Sequence, residues 1–192
     1  DYDSLFSLGV IQAKMHLIEP PNNLKSDFSM GRKLFEKLLI FADANNDWND
    51  FLLELKSSKS LFLGLDRLPR GIIHGDLFPD NVIGYNNQAI SILDFEEVCN
   101  DVLAFDLVMT FVGFGWENGE PVTDRWNAIL NGYQSIRKLS KEEIFALPDL
   151  HKLATLCIAA WRYWQFKINM PNTEHEDRYL EMTSRLNKVL PF

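Results

Sequence analysis

The sequence predicts an α+β protein that is mainly α-helical, with a bundle of helices and one short β-hairpin. Over most of the chain, apolar residues recur at steps of three and four, which is the period of an amphipathic helix. Only residues 82–93 contain two short runs rich in β-favouring residues on either side of a polar turn. At 192 residues and 46% hydrophobic content the chain can bury one substantial core. We therefore expect a single lobe over residues 1–192.

The predicted helices follow one another with clear breaks. In the first, residues 4–18, one face collects the apolar residues, and the proline-asparagine stretch 20–23 ends it. Two more helices are expected over residues 31–41 and 47–62, separated by a polar stretch. Beyond the hairpin, helices are predicted near residues 102–112, 122–137, 141–146, 149–169 and 173–189.

The most distinctive residues flank the hairpin. A His-x-Asp-x-x-x-x-Asn motif runs from His74 to Asn81 just before the first strand, and Asp94 directly follows the second. Chance would place these four identities at these offsets on the order of once in two thousand sequences of this length. The joining residues Asn86-Asn87-Gln88 tolerate the positive φ of a tight turn, so the hairpin should fold Asn81 back toward Asp94.

Carboxylate and amide oxygens at these positions suit phosphoryl transfer. Asp76 would orient an attacking hydroxyl and take its proton. Asn81 and Asp94 would hold Mg²⁺ on a nucleotide, because Mg²⁺ prefers oxygen ligands. A helix-capping role for Asp76 and a turn role for Asn81 are the alternatives. Asp94 has the stronger case, since a carboxylate directly after the apolar run 90–93 would be costly to bury without a cation.

The motif resembles the catalytic and metal loops of kinase-like enzymes. With Gly75 after the histidine, where protein kinases usually have arginine, it is similar to the aminoglycoside phosphotransferase and choline kinase-like superfamily. Within that superfamily the chain most resembles the homoserine kinases of this fold. The likeness covers most of residues 5–165 and rests on residues 71–82, 99–106, 132–137, 139–140 and 146–148.

Two positions depart from the homoserine kinase pattern. Gly75 stands where those enzymes more often have alanine, and Glu96-Glu97 follow Asp94-Phe95 where an aromatic residue is expected. Choline kinase-like enzymes also have Asp-Phe-Glu there, so the resemblance specifies the fold more closely than the substrate.

The resemblance implies the C-terminal lobe of a protein-kinase-like fold, with a catalytic loop at 72–81, a hairpin at 82–93 and a metal loop at 94–97. It implies ATP- and Mg²⁺-dependent transfer of the γ-phosphate to a hydroxyl, most directly that of homoserine. Choline, aminoglycosides and other amino alcohols are alternative acceptors, and a non-catalytic nucleotide-binding or scaffolding lobe is the alternative of another class. The N-terminal ATP lobe, with its glycine-rich loop and strand lysine, has no counterpart before residue 72, so we expect it to be absent from this chain.

Further residues have expected supporting roles. His74 should hydrogen-bond near Asp94 and fix the metal loop. Asp106 resembles the acidic residue that caps the catalytic-loop backbone in the superfamily, with a solvated helix residue as the alternative. Ile83 and Leu93 would form an apolar floor under adenine, unless they are hairpin core.

The predicted substrate-binding residues are Glu96, Glu97 and Arg162. The glutamates would hold the ammonium of homoserine or of another cation, with surface glutamates as the alternative. Arg162 would clamp an amino-acid carboxylate through two hydrogen bonds. The nearby aromatics suggest a cage for a quaternary ammonium, but Trp161 and Trp164 share one helical face, which favours core packing.

Composition excludes several classes of partner. A net charge of −8 argues against nucleic acid. The longest apolar stretch, residues 153–161, is about half of the ~20 residues that a membrane span requires. Cys99 and Cys157 are too few for a disulfide framework, and no signal-peptide pattern opens the chain. We expect a cytoplasmic protein that acts on a small amino alcohol.

Overall fold

The computed structural model describes all residues, Asp1–Phe192. The chain forms two compact units, one of residues 1–28, 68–151 and 188–192 and the other of residues 29–67 and 152–187. In chain order the elements are α1 (Tyr2–His16), α2 (Arg32–Asn45), α3 (Asp50–Ser58), β1 (Arg70–Ile73), β2 (Val82–Tyr85), β3 (Gln88–Ile92), β4 (Cys99–Val102), α4 (Leu103–Phe114), β5 (Trp116–Glu117), β6 (Glu120–Pro121), α5 (Thr123–Ile136), α6 (Lys141–Arg162) and α7 (Tyr179–Thr183). Short 3₁₀-helices cover Lys59–Arg67 and Pro79–Asn81, and a π-helix covers Tyr163–Asn169. The mainly α-helical class predicted from the sequence is confirmed.

Helices α1 and α5 cross closely in the first unit. Gly9 of α1 and Gly132 of α5 meet at the crossing, and a Cβ atom on Gly132 would lie 1.9 Å from the carbonyl oxygen of Phe6. Only glycine allows the two backbones to approach so closely. The crossing brings His16 and Tyr133 together, with their ring centroids 5.4 Å apart.

The predicted hairpin is formed by β2 and β3. Asn86 and Asn87 make its two-residue turn with φ values of 47° and 58°, as a type I′ turn requires. The register shifts within the ladder and leaves Ile90 as an extra residue of β3. This bulge lets Ala89 and Ile92, three residues apart, both face the core of the unit.

Two further strand pairs were not predicted. Strand β1 pairs with β4, and β5 pairs with β6. The β5–β6 turn is Asn118-Gly119, with φ of 50° and 79°, so the Asn-Gly hairpin signal was present in the sequence. Its two-residue strands are too short to show an alternating pattern, and the partners β1 and β4 are too far apart in the chain for a local signal.

Three helix predictions are wrong in extent. The helices expected at 141–146 and 149–169 are one helix, α6, which passes through Pro148 and continues as a π-helix. Pro148 removes one backbone hydrogen bond, and the burial of Leu147 and Leu150 on either side offsets that loss. The helix expected at 173–189 is reduced to α7, which carries the buried Met182, because most helical stability in proteins comes from a packed face.

The second unit has an aromatic core. Phe51, Tyr163 and Tyr179 pack with ring centroids 4.9–5.1 Å apart. Asn49 caps α3 by accepting the Leu52 N–H, and its amide also donates to the Tyr163 hydroxyl at 2.9 Å. Tyr163 is therefore a core residue of this unit.

One helical stretch, Lys141–Asn169, is long and apolar enough to cross a membrane by length and composition alone. Of its most apolar window, 61% is buried inside the protein. A mostly buried apolar helix is also what the core of a water-soluble protein contains, so the stretch is weak evidence for a membrane span.

Candidate active site

The catalytic loop (residues 72–81) and the metal loop (residues 94–97) are held side by side at both ends. Strand β1 leads into the catalytic loop and β4 leaves the metal loop, and these strands pair with each other. Strand β2 leaves the catalytic loop and β3 leads into the metal loop, and these also pair. Past the last strand residues, the Leu93 N–H donates to the Asn81 carbonyl oxygen at 2.9 Å. Asp94 thus follows a residue that is bonded directly to Asn81.

Asp76 and Asn81 are in direct contact. The Asn81 Nδ2 donates to the Asp76 carbonyl oxygen at 2.7 Å and to the Asp76 carboxylate Oδ2 at 3.1 Å. Because both bonds use the NH₂ group, the Oδ1 atom of Asn81 faces away from Asp76. That oxygen is the atom with which Asn81 can ligate a cation.

The Asp76 carboxyl is half-buried, and burial raises its pKa above the ordinary value. The hydrogen bond from Asn81 opposes this shift, and the negative charges of Asp94 and Glu97 add to it. A general base is most effective when its pKa lies near the working pH, so the upward shift suits Asp76 to proton transfer.

The His74 ring connects the two loops and is fully buried. Its Nδ1 accepts the Asp76 N–H at 3.2 Å, and its Nε2 donates to the Leu93 carbonyl oxygen at 2.8 Å. An Nδ1 that accepts a hydrogen bond carries no proton, so His74 is neutral and protonated on Nε2. Both ring nitrogens are thereby used in positioning the loops.

The buried Asp106 carboxylate holds the catalytic-loop backbone. Its Oδ1 accepts the Gly75 N–H at 2.7 Å, and its Oδ2 accepts from Gln12 at 2.8 Å and from His16 Nε2 at 3.0 Å. Burial alone would raise the pKa of Asp106, but the hydrogen bond and charge interaction with His16, together with the hydrogen bonds from Gly75 and Gln12, outweigh it and lower the pKa. Asp106 is 0% exposed, so it is not a solvated helix residue.

A second set of hydrogen bonds holds the other side of the His16 ring. Its Nδ1 lies 2.7 Å from the Tyr133 hydroxyl, which accepts from Arg137 at 3.1 Å. Arg137 also donates to Glu143 at 2.8 Å. A series of side-chain contacts thus connects α6 with the catalytic loop through Arg137, Tyr133, His16 and Asp106.

Gly75 has a positive φ of 80°. A Cβ atom at this position would also lie 2.8 Å from the ring of Phe28. Alanine would be strained here on both counts, which explains why this chain has glycine after His74.

The carboxylates of the metal loop remain open to solvent. Asp94 and Glu96 are exposed, and Asp94 has the left-handed φ of 58° that few non-glycine residues adopt. Because Asp94 is exposed, it does not incur the burial cost that its position after an apolar run suggested. Glu97 is half-buried, and its Oε2 lies 3.7 Å from Nζ of Lys25.

Ile83 and Leu93 lie on the same face of the hairpin, opposite the face that Ala89 and Ile92 direct to the core. They are 44% and 42% exposed. Because the core packs against the other face, these side chains are not hairpin core and form an apolar surface beside the two loops.

Arg162 and Trp164 have partners within the second unit. The Arg162 guanidinium donates to the Glu181 carboxylate at 2.7 Å and to the Arg178 carbonyl oxygen at 3.1 Å. The Lys37 ammonium lies 3.6 Å from the centre of the Trp164 ring. Arg162 Nη1 and one face of the Trp164 ring are thus in contact with groups of the protein itself.

The residues present fit a cation that is shared with a nucleotide. No group of three or more His, Cys, Asp and Glu side chains is arranged to hold a metal by itself. Asn81 Oδ1 and the exposed Asp94 carboxylate are two oxygen donors. Mg²⁺ is usually bound by one or two protein oxygens, with phosphates and waters completing the octahedron.

The supporting roles of Gln12, Tyr133 and Lys25 were not predicted. Gln12 and His16 are spaced four residues apart on the buried face of α1, whose other residues are apolar or glycine, and a polar pair at that spacing on a buried face is a recognisable signal of a buried network. Lys25 lies in a polar loop, and nothing in its local sequence distinguishes it.

Comparison with known proteins identifies relatives of this chain. Residues 1–139 match a family described as the phosphotransferase enzyme family. Over 90 residues the chain is 42% identical to the homoserine kinase of Sinorhizobium fredii, and the match covers 46% of this chain and 28% of that protein. The chain therefore matches well under half the length of this curated relative.

Two solved structures share the fold. An amicoumacin kinase in complex with AMP-PNP and Ca²⁺ has a TM-score of 0.68 at 15% identity, covering 100% of this chain and 60% of that chain. A choline/ethanolamine kinase family protein from Mesorhizobium loti has a TM-score of 0.65 at 14% identity, covering 95% of this chain and 60% of that chain. They confirm the predicted kinase-like fold. Because the matched residues 1–139 contain both loops and all the side chains that fix them, the chain belongs to the phosphotransferase enzyme family.

Proposed function

We propose that the full-length protein transfers the γ-phosphate of ATP to a hydroxyl group of a small molecule. The observation that carries this proposal is the arrangement of Asp76, Asn81 and Asp94 on adjacent loops that two strand pairs hold together. Family membership supports the reaction class. A scaffolding lobe without catalysis would not need a half-buried carboxylate beside an amide oxygen that is free to bind a cation.

Asp76 would act as the general base. Its carboxylate accepts a hydrogen bond from the acceptor hydroxyl and directs the oxygen at the γ-phosphorus. As the new O–P bond forms, the bond from the γ-phosphorus to the β–γ bridging oxygen breaks and ADP leaves. The hydroxyl proton passes to Asp76, whose raised pKa favours that transfer.

Asn81 and Asp94 would hold Mg²⁺, through Oδ1 and the carboxylate respectively. When bound with the nucleotide, Mg²⁺ neutralises charge on the phosphates. Ile83 and Leu93 would support the adenine ring with their exposed apolar face. The similar amicoumacin kinase was solved with AMP-PNP and Ca²⁺, which supports an adenine nucleotide and a divalent cation for this fold.

Homoserine is the acceptor we favour. The 42% identity to a homoserine kinase lies over 90 residues, and Glu96 and Glu97 provide negative charge for the ammonium of the substrate. A choline, ethanolamine or aminoglycoside acceptor is the second candidate, because Asp94-Phe95-Glu96 resembles choline kinase-like enzymes and one of them shares the fold.

We infer that the reaction takes place in the cytoplasm. Cys99 and Cys157 are both buried and form no disulfide, and cytoplasmic proteins keep their thiols reduced. The mostly buried apolar stretch of α6 is compatible with this location.

An acceptor screen tests the proposal. The full-length protein with Mg²⁺ and ATP is incubated with homoserine, choline or an aminoglycoside, and ADP release is followed in a coupled assay. Homoserine should give the highest kcat/KM, and EDTA should abolish turnover. Absence of acceptor-dependent ADP release with every compound would contradict the proposal, and a preference for choline would shift it to the second candidate.

A further inference from the structure

An ion pair at the metal loop joins Glu97 to Lys25, a lysine that has no role in the chemistry described above. The Lys25 Nζ is 3.7 Å from Glu97 Oε2, and the two side chains are 48% and 26% exposed. Both residues belong to the same compact unit as Asp76. The pair is therefore accessible to a ligand at the edge of the site.

The backbones of both residues are fixed next to the catalytic loop. The Lys25 carbonyl oxygen accepts the Asn100 N–H at 2.8 Å, and Ser26 forms a parallel bridge to the same residue of β4. The Glu97 carbonyl oxygen lies 3.4 Å from the position that a Cβ atom of Gly75 would occupy. Gly75 immediately precedes Asp76, so the Glu97 backbone lies next to the catalytic loop, and the Glu97 charge is close enough to raise the pKa of Asp76.

We propose that Lys25 and Glu97 together bind the zwitterionic head group of an α-amino acid whose side-chain hydroxyl is held by Asp76. This inference rests on the proposed function and deepens it. Glu97 takes the ammonium of the substrate and Lys25 takes its carboxylate. The protein pair and the substrate pair exchange partners, so no charge is left without a counter-charge.

Replacing the Lys25–Glu97 contact by contacts with the substrate costs little free energy, and it favours zwitterionic substrates. A partly exposed ion pair at 3.7 Å contributes little to stability, so opening the Lys25–Glu97 contact costs little. An acceptor with only a cationic group can bind Glu97 but is repelled by Lys25, and it gives that lysine no carboxylate. Lys25 thus selects amino acids over choline and polyamines.

Three acceptors that differ by one charged group test this directly. They are homoserine, 3-aminopropan-1-ol, which lacks the carboxylate, and 4-hydroxybutanoate, which lacks the ammonium. The full-length protein is compared with Lys25→Met and Glu97→Gln, and kcat/KM is measured for each acceptor. Lys138→Met, at an exposed lysine on a distant part of the sequence, is the matched control.

The wild-type protein should use homoserine about 10 to 100 times more efficiently than either partial acceptor, as expected for one charge-assisted contact. Lys25→Met should lower kcat/KM for homoserine by a similar factor and change it less than about threefold for 3-aminopropan-1-ol. Glu97→Gln should remove the advantage of homoserine over 4-hydroxybutanoate. Lys138→Met should have no effect.

The outcomes separate this inference from the proposed function. If homoserine is phosphorylated and Lys25→Met keeps the wild-type preference over 3-aminopropan-1-ol, the head-group inference is wrong while the phosphotransferase function stands. The same conclusion follows if the wild-type protein prefers the partial acceptors. If no acceptor is phosphorylated, both are wrong. Unchanged thermal unfolding of the variants shows that each effect arises from binding.

Discussion

The catalytic loop and the metal loop lie side by side, but the protein holds their polar groups in opposite ways. In the catalytic loop, the Gly75 N–H and the buried His74 ring are hydrogen-bonded to protein atoms. In the metal loop, Asp94 and Glu96 are exposed to solvent. The groups whose geometry must be set before substrate arrives are fixed by protein atoms, and the groups that would bind ligands are left open to receive them.

Removal of the carboxylate at the catalytic position should have the largest effect. Asp76→Asn keeps the size of the side chain but cannot take a proton, so kcat should fall by about 10² to 10⁴. The far-UV circular dichroism should remain that of the wild type. If the variant kept more than a tenth of wild-type turnover in the coupled assay, Asp76 would not be the general base.

Substitution at Asp106 tests the buried side of the comparison. Both oxygens of Asp106 accept hydrogen bonds from N–H groups. Asp106→Asn replaces one oxygen by an NH₂ group, which faces N–H donors in either orientation of the amide. The free energy of unfolding should therefore fall by about 2–4 kcal/mol. Asp94→Asn, at an exposed carboxylate, is the matched control and should change it by less than about 0.5 kcal/mol. Urea unfolding measures both variants. Equal losses of unfolding free energy in the two variants would mean that the catalytic loop does not depend on buried hydrogen bonds more than the metal loop does.

Asp94→Asn should instead weaken ligand binding. Loss of one carboxylate ligand should lower the affinity for Mg²⁺-ATP by about 10- to 100-fold, a range similar to that seen when groups around a metal are removed. Isothermal titration of the full-length protein with nucleotide, with and without Mg²⁺, measures the change. If Mg²⁺ enhances binding to the variant as strongly as to the wild type, Asp94 does not hold the cation.

Tyr133→Phe tests whether the buried network extends to α5. The ring remains, but His16 Nδ1 loses the hydroxyl that lies 2.7 Å away, so the free energy of unfolding should fall by about 1 kcal/mol. Tyr85→Phe is the control, since Tyr85 is 67% exposed and should show no change. An unaffected Tyr133→Phe would limit the network to Asp106, Gln12 and His16.

The pH dependence of stability should differ between the buried Asp106 and the half-buried Asp76. The pKa of Asp106 is lowered in the folded protein, so its contribution is present above the ordinary aspartate value of about 4 and is lost as pH falls through the lowered pKa. The pKa of Asp76 is raised, so its ionisation reduces stability as pH rises through the folded-state value.

Urea unfolding between acidic and neutral pH measures these opposite slopes. The difference in free energy of unfolding between the wild type and the less stable Asp106→Asn should become smaller at acidic pH. Asp76→Asn should gain stability relative to the wild type toward neutral pH, because it removes a carboxylate whose ionisation is opposed by burial. Parallel curves for both variants would contradict the assigned environments.

The same contrast explains what the sequence could predict. The motif from His74 to Asn81 and the asparagine turn are local, so the hairpin and the convergence of the loops followed from spacing alone. The β1–β4 pair and the meeting of His16 with Tyr133 depend on contacts between distant parts of the chain. Helix α6 passes through Pro148 because its flanking leucines are buried, and a local proline rule cannot include that packing.

Arg162 shows that predictions of site residues from the sequence also miss contacts between distant parts of the chain. Its residue type suited a substrate carboxylate, but Glu181 supplies a carboxylate from within its own unit. Lys25 was overlooked although it lies near the metal loop, because only the bridge of Ser26 to Asn100 brings residues 25–28 to that position.

A structure of the full-length protein with Mg²⁺ and a non-hydrolysable ATP analogue tests the central claim most directly. We expect Asn81 Oδ1 and the Asp94 carboxylate to ligate the Mg²⁺ that also contacts the phosphates, with the Asp76 carboxylate facing the γ-phosphate. A nucleotide bound elsewhere, or a cation that neither Asn81 nor Asp94 touches, would contradict the account.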